Sequence, residues 1–140
     1  MKQLILLTAI LLTSTVTLAE DTTTTETCAN GAGIVIEGAV ADANGNKHKY
    51  CISNKTMNWW NAVSWCDAMG RKLFDRANCA CGNTTADCAG SMCPELKGVS
   101  SGDWVWSATP NGTTRAYSVS LSSGYIGSSL RGNHRCAVCY

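Results

Sequence analysis

The chain has 140 residues, with 11 lysines and arginines against 10 aspartates and glutamates, and a net charge of +1. A balance of this kind gives no support to a nucleic acid or an anionic membrane as partner. Nine cysteines in so short a chain predict a disulfide framework in an oxidising compartment, and the odd number leaves at least one cysteine over.

Residues 1–19 have the layout of a secretory signal peptide. Lys2 supplies a positive start, an apolar run extends from Leu4 to Leu12, and small and hydroxyl residues lead to a cleavage site after Ala19. A membrane-spanning helix needs about 20 consecutive apolar residues, and this run is shorter. No second apolar stretch follows it, so we expect no membrane insertion. The sequence predicts a secreted or cell-surface protein, and a periplasmic location also fits.

After the cleavage site we expect a Thr-rich leader at 20–27 and one domain at 28–140. The first predicted element of this domain is a β-hairpin. Its strands are the β-branched run Ile34-Val35-Ile36 and the segment Tyr50-Cys51-Ile52, and Asn44-Gly45 between them is a strong turn dipeptide.

One helix is predicted from Met57 to Met69. The Thr56 hydroxyl can cap its amino end, and Gly70 suits the left-handed position that ends a helix. Apolar residues recur at steps of three and four and therefore share one face, which comprises Trp59, Ala62, Val63, Cys66 and Met69.

The segment from Asp75 to Ser101 is predicted to be a long disulfide-stapled loop. It has few large apolar residues, so it needs cross-links to become ordered. Its four cysteines are Cys79, Cys81, Cys88 and Cys93. A four-thiolate zinc site is the alternative interpretation, but zinc ligands are more often spaced by two to four residues, and export favours oxidation of thiols.

The rest of the chain predicts an antiparallel β meander. In its second strand Tyr117, Val119 and Leu121 alternate with small residues, which is the period-two pattern of a half-buried strand. The other predicted strands are Trp104-Val105-Trp106, Tyr125-Ile126 and Arg135 to Tyr140.

The order of these motifs resembles the C-type-lectin-like superfamily, above all its bacterial exported members. The residues that carry the resemblance are Trp59-Trp60-Asn61-Ala62-Val63-Ser64-Trp65-Cys66 with Gly70 and Leu73, then Trp104-Val105-Trp106-Ser107-Ala108-Thr109, and finally Ala137-Val138-Cys139-Tyr140. The resemblance implies an α+β domain with a C-type-lectin-like fold: one main helix, a long disulfide-stapled loop and an antiparallel β meander.

In that superfamily the cysteine of the helix is bridged to the cysteine of the last strand, which implies a Cys66–Cys139 disulfide. Such a bridge closes a loop of over 70 residues and would stabilise the fold by about 4 kcal/mol on chain-entropy grounds. Cys136 and Cys139 point to opposite faces of an extended strand, so they do not easily join each other. We also expect Cys28–Cys51 across the amino-terminal hairpin, and the remaining pairings stay open.

No metal or other cofactor is expected. Calcium-binding members of the superfamily use a Glu-Pro-Asn or Gln-Pro-Asp tripeptide and a Trp-Asn-Asp tripeptide, and neither occurs here. The superfamily also contains formylglycine-generating enzymes, which use reactive cysteines, but their active-site signature is absent from this sequence. Cys136-Ala137-Val138-Cys139 ends a strand rather than opening a helix, so a structural role outweighs a redox role. We therefore expect no catalytic residue.

Binding residues are predicted on the polar surface of the meander. Four tryptophans, at 59, 65, 104 and 106, are expected in the core, whereas Trp60 should be exposed. Serine, tyrosine, asparagine and arginine together make adaptable polar contacts beside rigid aromatic anchors. The candidate ligand-binding residues are Trp60, Asn111, Arg115, Tyr125, Ser128, Ser129, Arg131, Asn133 and His134. A solvated hairpin surface without a ligand is the plain alternative.

These features predict an exported, non-catalytic binding module for an extracellular protein or glycan. The first alternative is a structural or assembly subunit of a surface appendage that self-associates through the odd cysteine. The second is a cysteine-dependent enzyme, which would need an accessible free thiol.

Overall fold

The computed structural model describes residues 26–29, 31–41, 44–79 and 92–140. The predicted signal peptide and most of the Thr-rich leader lie outside these residues. The described chain forms a small α+β domain with two three-stranded antiparallel sheets. Its elements in chain order are β1 (Gly33–Ala41), β2 (Lys47–Ser53), α1 (Trp59–Ala68), two short 3-10 helices (Arg76–Asn78 and Pro94–Leu96), β3 (Trp104–Asn111), β4 (Arg115–Ser120), β5 (Ile126–Leu130) and β6 (Val138–Cys139).

The first sheet has the order β1-β2-β6. The predicted hairpin is present, with Ile34 opposite Ile52 and Ile36 opposite Tyr50 in β1 and β2. Gly45 adopts a φ of +82° in the connecting turn, a value that an L side chain would strain. A turn dipeptide between a β-branched run and a second segment of strand character is therefore sufficient to predict this hairpin.

Helix α1 begins two residues later than the sequence predicts. Asn58, rather than Thr56, is the N-cap, and its side-chain oxygen accepts a hydrogen bond from the Asn61 amide at 2.9 Å. Met57 cannot join the helix because its backbone pairs with that of Arg135 in an extended bridge. The carboxyl end is as predicted, since Gly70 follows the helix with a φ of +68°.

The predicted long loop is only partly described, because residues 80–91, with Cys81 and Cys88, lie outside the described chain. Cys79 is joined to Cys93, which staples the two described sides of the loop. The expectation of little burial is wrong for its carboxyl end. Glu95 and Leu96 in the second 3-10 helix have no solvent-exposed surface, and Leu96 belongs to the main core.

The second sheet has the order β3-β4-β5 and contains the first three strands of the predicted meander. The predicted fourth strand does not extend this sheet, because β6 pairs with β2 in the first sheet. The half-buried pattern predicted for β4 is wrong, because small residues on its other face, such as Ala116 and Ser118, are buried as well, whereas Tyr117 is only half-buried. The final strand is also shorter than predicted and comprises Val138 and Cys139. Residues before it are held instead by single bridges to other segments.

Disulfides connect the helix and the termini of the domain to the first sheet. Cys66–Cys139 joins α1 to β6, and Cys28–Cys51 joins the start of the described chain to β2. Both bridges are the ones that the sequence analysis expected. Among the described cysteines only Cys136 is free, and it is buried. Three disulfides indicate folding in an oxidising compartment. No helix in the described ranges has the length and apolar character needed to cross a membrane.

Candidate functional site

The nine predicted binding residues lie mainly along β5, the turn that follows it, and the start of α1. The side chain of Arg115 is held by two hydrogen bonds to Ser128. Its Nε donates a hydrogen bond to the Ser128 hydroxyl at 3.2 Å, and its Nη2 donates to the Ser128 carbonyl at 2.8 Å. Asn111 lies opposite Arg115 at the end of β3. These residues form one corner of the second sheet.

A first arginine–aromatic stack lies next to this corner. The Arg131 guanidinium carbon is 4.7 Å from the centre of the Trp59 ring, and Trp60 meets Trp59 edge-to-face at 6.2 Å. Arg131 also donates to the backbone carbonyls of Arg115 at 3.0 Å and Gly112 at 2.9 Å. The Trp59 ring is fixed in turn, because its Nε1 donates to a backbone carbonyl of β3 at 2.9 Å.

A second stack, in which a tyrosine takes the place of the outer tryptophan, lies at the other end of β5. The Arg135 guanidinium carbon is 5.5 Å from the centre of the Trp104 ring, and Tyr125 meets Trp104 edge-to-face at 6.3 Å. Arg135 Nη2 donates to the Ser129 hydroxyl at 3.1 Å. The Trp104 ring lies close over Gly127, where an added Cβ would be 3.2 Å from the ring. Gly127 therefore makes room for this stack.

Both stacks depend on the turn at residues 131–135. The Trp59 amide donates to the Arg131 carbonyl at 2.9 Å. Met57 and Arg135 exchange two backbone hydrogen bonds, of 2.8 and 3.0 Å. These bonds place the start of α1 alongside the turn, with one arginine at each end of it. We call the surface formed by Trp60-Trp59-Arg131 and Tyr125-Trp104-Arg135 the twin-stack surface.

The twin-stack surface is cationic. Residues 104–140 include three arginines and one histidine but no aspartate, glutamate or lysine. Asp103 lies immediately before this segment, and its carboxylate accepts a hydrogen bond from Ser100. No ion pair to Arg115, Arg131 or Arg135 is formed within the described part of the chain. In each of the three guanidiniums Nη1 also lacks a protein acceptor among the described residues.

The predicted residues differ in how they can reach a ligand. Trp60 and Tyr125 are about half exposed, at 53% and 48% of their surface, and each forms the outer ring of one stack. Asn133 and His134 are exposed on the turn between the two arginines. Ser129 is buried, so its hydroxyl supports Arg135 and does not face solvent.

Sequence reasoning missed three members of the twin-stack surface. Arg135 was assigned only to the last strand, and Trp59 and Trp104 were assigned to the core. Both rings are in fact half-buried, as is Trp65, and of the four tryptophans expected in the core only Trp106 is fully buried. The available signal was the segment 104–140, in which arginine occurs without any acidic residue.

A buried carboxylate lies outside the twin-stack surface. Glu95 has no exposed surface, and its Oε1 accepts a hydrogen bond from the Tyr50 hydroxyl at 2.8 Å. Burial, followed by this hydrogen bond and the Glu95 charge, raises the pKa of Tyr50 well above its ordinary value. Glu95 Oε2 has no partner among the described residues. No group of three or more histidine, cysteine, aspartate or glutamate side chains converges in the described ranges.

The free cysteine follows Arg135 directly in the chain, and its amide donates to the Trp104 carbonyl at 3.0 Å, but its thiol belongs to neither stack. Cys136 lines a groove of about 280 Å³ together with Ile36, Ser53 and Val99. Burial, assisted by the nearby Asp103 carboxylate, raises the pKa of the Cys136 thiol. The thiol is therefore held in its protonated form, which is the opposite of what a nucleophilic cysteine requires.

Comparison with known proteins places this domain without assigning an activity to it. Neither the curated proteins nor the solved structures contain a match to the chain. A family model described as a domain of unknown function, DUF8780, matches residues 51–140. The matched region includes α1, the second sheet and every residue of both stacks, and it begins after β1. The chain belongs to the DUF8780 family.

Proposed function

We propose that this protein is an exported, non-catalytic binding module that holds an extracellular ligand on its twin-stack surface. One observation carries the proposal: two arginine–aromatic stacks flank a single turn, and each ends in a half-exposed ring, Trp60 in one and Tyr125 in the other. An exposed aromatic ring of this kind is a common anchor in binding surfaces.

The surface is preorganised for binding. Arg131 is fixed by two backbone carbonyls and by the Trp59 ring, so its side chain has lost most of its freedom before a ligand arrives. Ordering a flexible side chain at an interface costs about 0.5–1.5 kcal/mol, and this cost is largely met during folding. A cation–π contact contributes about 0.5–2 kcal/mol, depending on how well it is shielded from water. Contacts made by the twin-stack surface therefore contribute to affinity with little loss to side-chain ordering.

A C-type-lectin-like fold is part of the proposal. Support comes from the helix that carries a cysteine in its last turn, from the Cys66–Cys139 bridge to the last strand, and from the stapled loop between the helix and the second sheet. Export is supported by the three disulfides and by the signal-peptide layout of residues 1–19. A released and a surface-retained form agree equally well with these features.

The state of the free thiol supports a binding role over a cysteine-dependent one. An enzyme of that kind needs an accessible thiolate, and an assembly subunit linked through the odd cysteine needs an accessible thiol. Cys136 is buried, and its pKa is raised. The alternatives with a cysteine at their centre therefore gain no support from the described part of the chain.

The test compares three alanine variants of the exported, disulfide-bonded protein. Trp60→Ala and Tyr125→Ala each remove an outer ring, whereas Tyr140→Ala removes a comparably exposed ring, at 44%, that belongs to neither stack. Labelled protein is applied to an array of extracellular polysaccharides and glycoproteins. For each array ligand that binds the unsubstituted protein, we expect the affinity of the two stack variants to be lower on the order of tenfold or more. The affinity of Tyr140→Ala should be unchanged. The proposal would be refuted if the ligands bound both stack variants with unchanged affinity, or if the protein bound nothing on the array.

A further inference from the structure

We infer that the ligand of the twin-stack surface is a polysaccharide bearing carboxylate or sulfate groups. This inference rests on the proposed function and names the chemical class of its ligand. Its grounds are the uncompensated arginine charge of the surface, the guanidinium donors that have no protein acceptor among the described residues, and the repetition of one ring–arginine unit on both sides of the turn.

The charge of the surface requires an anion. Arg131 and Arg135 are only partly exposed, and neither makes an ion pair in the described chain. Partial burial weakens the hydration of a guanidinium, and it strengthens the attraction of an opposite charge through the lower local dielectric constant. A negatively charged oxygen of a ligand would balance the positive charge of these two arginines.

The donors are arranged for anionic oxygens. In Arg131 the Nε and Nη2 donors are already used on carbonyls, which fixes the plane of the guanidinium and leaves Nη1 as the group available to a ligand. Arg115 is fixed in the same way, since its Nε and Nη2 both donate to Ser128. Arg135 is held by one hydrogen bond, from Nη2 to the Ser129 hydroxyl, and by its contact with the Trp104 ring. Hydrogen bonds from a charged donor to a carboxylate or sulfate are about twice as strong as neutral ones.

Repetition favours a polymer of sugars. Each stack offers one half-exposed ring and one arginine, and the two arginines are four residues apart, so their Cα atoms are separated by at most about 14 Å. A polymer that repeats a sugar ring and an acidic group can occupy both stacks at once. The second contact is then intramolecular and raises the overall affinity by avidity. A neutral glycan lacks the anion, and an acidic peptide lacks a saturated ring to pack against Trp60 and Tyr125.

The test measures binding of the full exported protein to four immobilised polymers at low and high salt. Polygalacturonate presents carboxylates, dextran sulfate presents sulfates, dextran is the neutral control, and poly-L-glutamate presents carboxylates on a peptide. We expect binding to polygalacturonate or dextran sulfate that weakens steeply with salt, because surface charges are screened. The polymer that binds identifies whether the acid is a carboxylate or a sulfate. Dextran and poly-L-glutamate should bind at least tenfold more weakly.

Variants connect this binding to the stacks. Arg131→Gln and Arg135→Gln should each reduce affinity on the order of tenfold, the loss of one charge-assisted hydrogen bond. Arg76→Gln is the matched control, since Arg76 also stacks on an aromatic ring, Tyr117, at 4.6 Å but lies outside the twin-stack surface. It should change affinity by less than about twofold. Trp60→Ala provides a second arm that does not depend on the folding of the arginine variants, because Trp60 is exposed.

Failure of this inference can be separated from failure of the proposed function. Equal binding to dextran, preference for poly-L-glutamate, or binding to none of the four polymers would overturn the inference. If a neutral glycan or a protein is instead the ligand and Trp60→Ala and Tyr125→Ala abolish its binding, the binding function stands with a different ligand class. If an acidic polysaccharide binds but Arg76→Gln weakens it as much as Arg131→Gln does, the twin-stack surface is not its site.

Discussion

Replacing Gly38 by alanine tests the packing around the buried Glu95 carboxylate. Gly38 is buried in β1 and has no left-handed φ, so its backbone accepts an alanine without strain. A Cβ at this position would collide with Glu95 Oε1, and it would lie 2.7 Å from Glu95 Cδ and 3.1 Å from Tyr50 Cε2. The glycine is therefore required because of what packs against it and not because of its backbone conformation.

The cost follows from what Glu95 cannot do in response. Its side chain has no exposed surface, and its Oε1 accepts the Tyr50 hydroxyl at 2.8 Å. Added volume in a packed core costs about 1–3 kcal/mol. Breaking the buried hydrogen bond to relieve the collision costs a similar amount. The two costs are not fully additive, because a movement of Glu95 that breaks the hydrogen bond also relieves part of the collision. We therefore expect Gly38→Ala to lower the free energy of unfolding by about 3 kcal/mol.

Urea unfolding followed by tryptophan fluorescence, with the disulfides intact, measures this cost. A loss of about 3 kcal/mol lowers the midpoint by about 1 M or more. Gly132→Ala is the matched control, because a Cβ there would meet nothing within 4 Å and its φ is ordinary. It should be neutral or stabilise by up to about 1 kcal/mol.

A double-mutant cycle identifies the cause of the loss. In a Glu95→Ala background the obstructing carboxylate is gone, so adding Gly38→Ala should cost less than about 1 kcal/mol, which is a coupling of about 2 kcal/mol. A cost of Gly38→Ala below about 0.5 kcal/mol, or the same cost in both backgrounds, would refute the packing argument.

Three further predictions concern the disulfides and the buried titratable groups. Replacing Cys66 and Cys139 together by serine should lower the free energy of unfolding by about 4 kcal/mol, because their bridge spans 73 residues. Loss of the Cys79–Cys93 bridge, which spans 14 residues, should cost less. Midpoints of thermal unfolding give the ranking. The Cys136 thiol, buried and with a raised pKa, should resist iodoacetamide in the native protein and react after unfolding, and peptide mass spectrometry that finds rapid native labelling would contradict this. Because the folded-state pKa of Tyr50 is raised, its contribution to stability is complete below the ordinary tyrosine pKa of about 10 and is lost as the pH rises above it, by at most about 1.4 kcal/mol per pH unit; a urea midpoint that does not change at alkaline pH would count against this assignment.

Local signals in the sequence were sufficient for the framework of the domain. The hairpin of β1 and β2 follows from Asn44-Gly45 between two segments of strand character, because a turn and its flanking strands are neighbours in the chain. The buried face of α1 follows from apolar residues at steps of three and four, and its end follows from Gly70. The Cys66–Cys139 pairing came from the order of motifs rather than from local geometry.

Predictions failed where a distant segment determines local structure. Thr56 has the residue type of an N-cap, yet the helix starts after Asn58 because the backbone of Met57 is engaged by Arg135, far along the chain. Glu95 lies in a segment with few apolar residues, and it is buried because Gly38 in β1 leaves space for it. Neither partner can be identified from the residues around the failing position.

For the candidate site too, some properties could be predicted from the sequence and others depend on distant segments. From the sequence alone came the expectation of export, the disulfide framework, and a polar, arginine-containing carboxyl-terminal segment without acidic residues, because these depend on composition and local pattern. Only the tertiary structure decided which rings meet which arginines: Arg131 is paired with Trp59 and Arg135 with Trp104. These partners are far apart in the chain. The backbone pairing between the start of α1 and the turn after β5 brings the first pair together, and the hydrogen bond from the Cys136 amide to the Trp104 carbonyl brings the second pair together. A stacking contact depends on a ring and a guanidinium being placed within a few ångströms of each other, and such a placement exists only when the chain has folded.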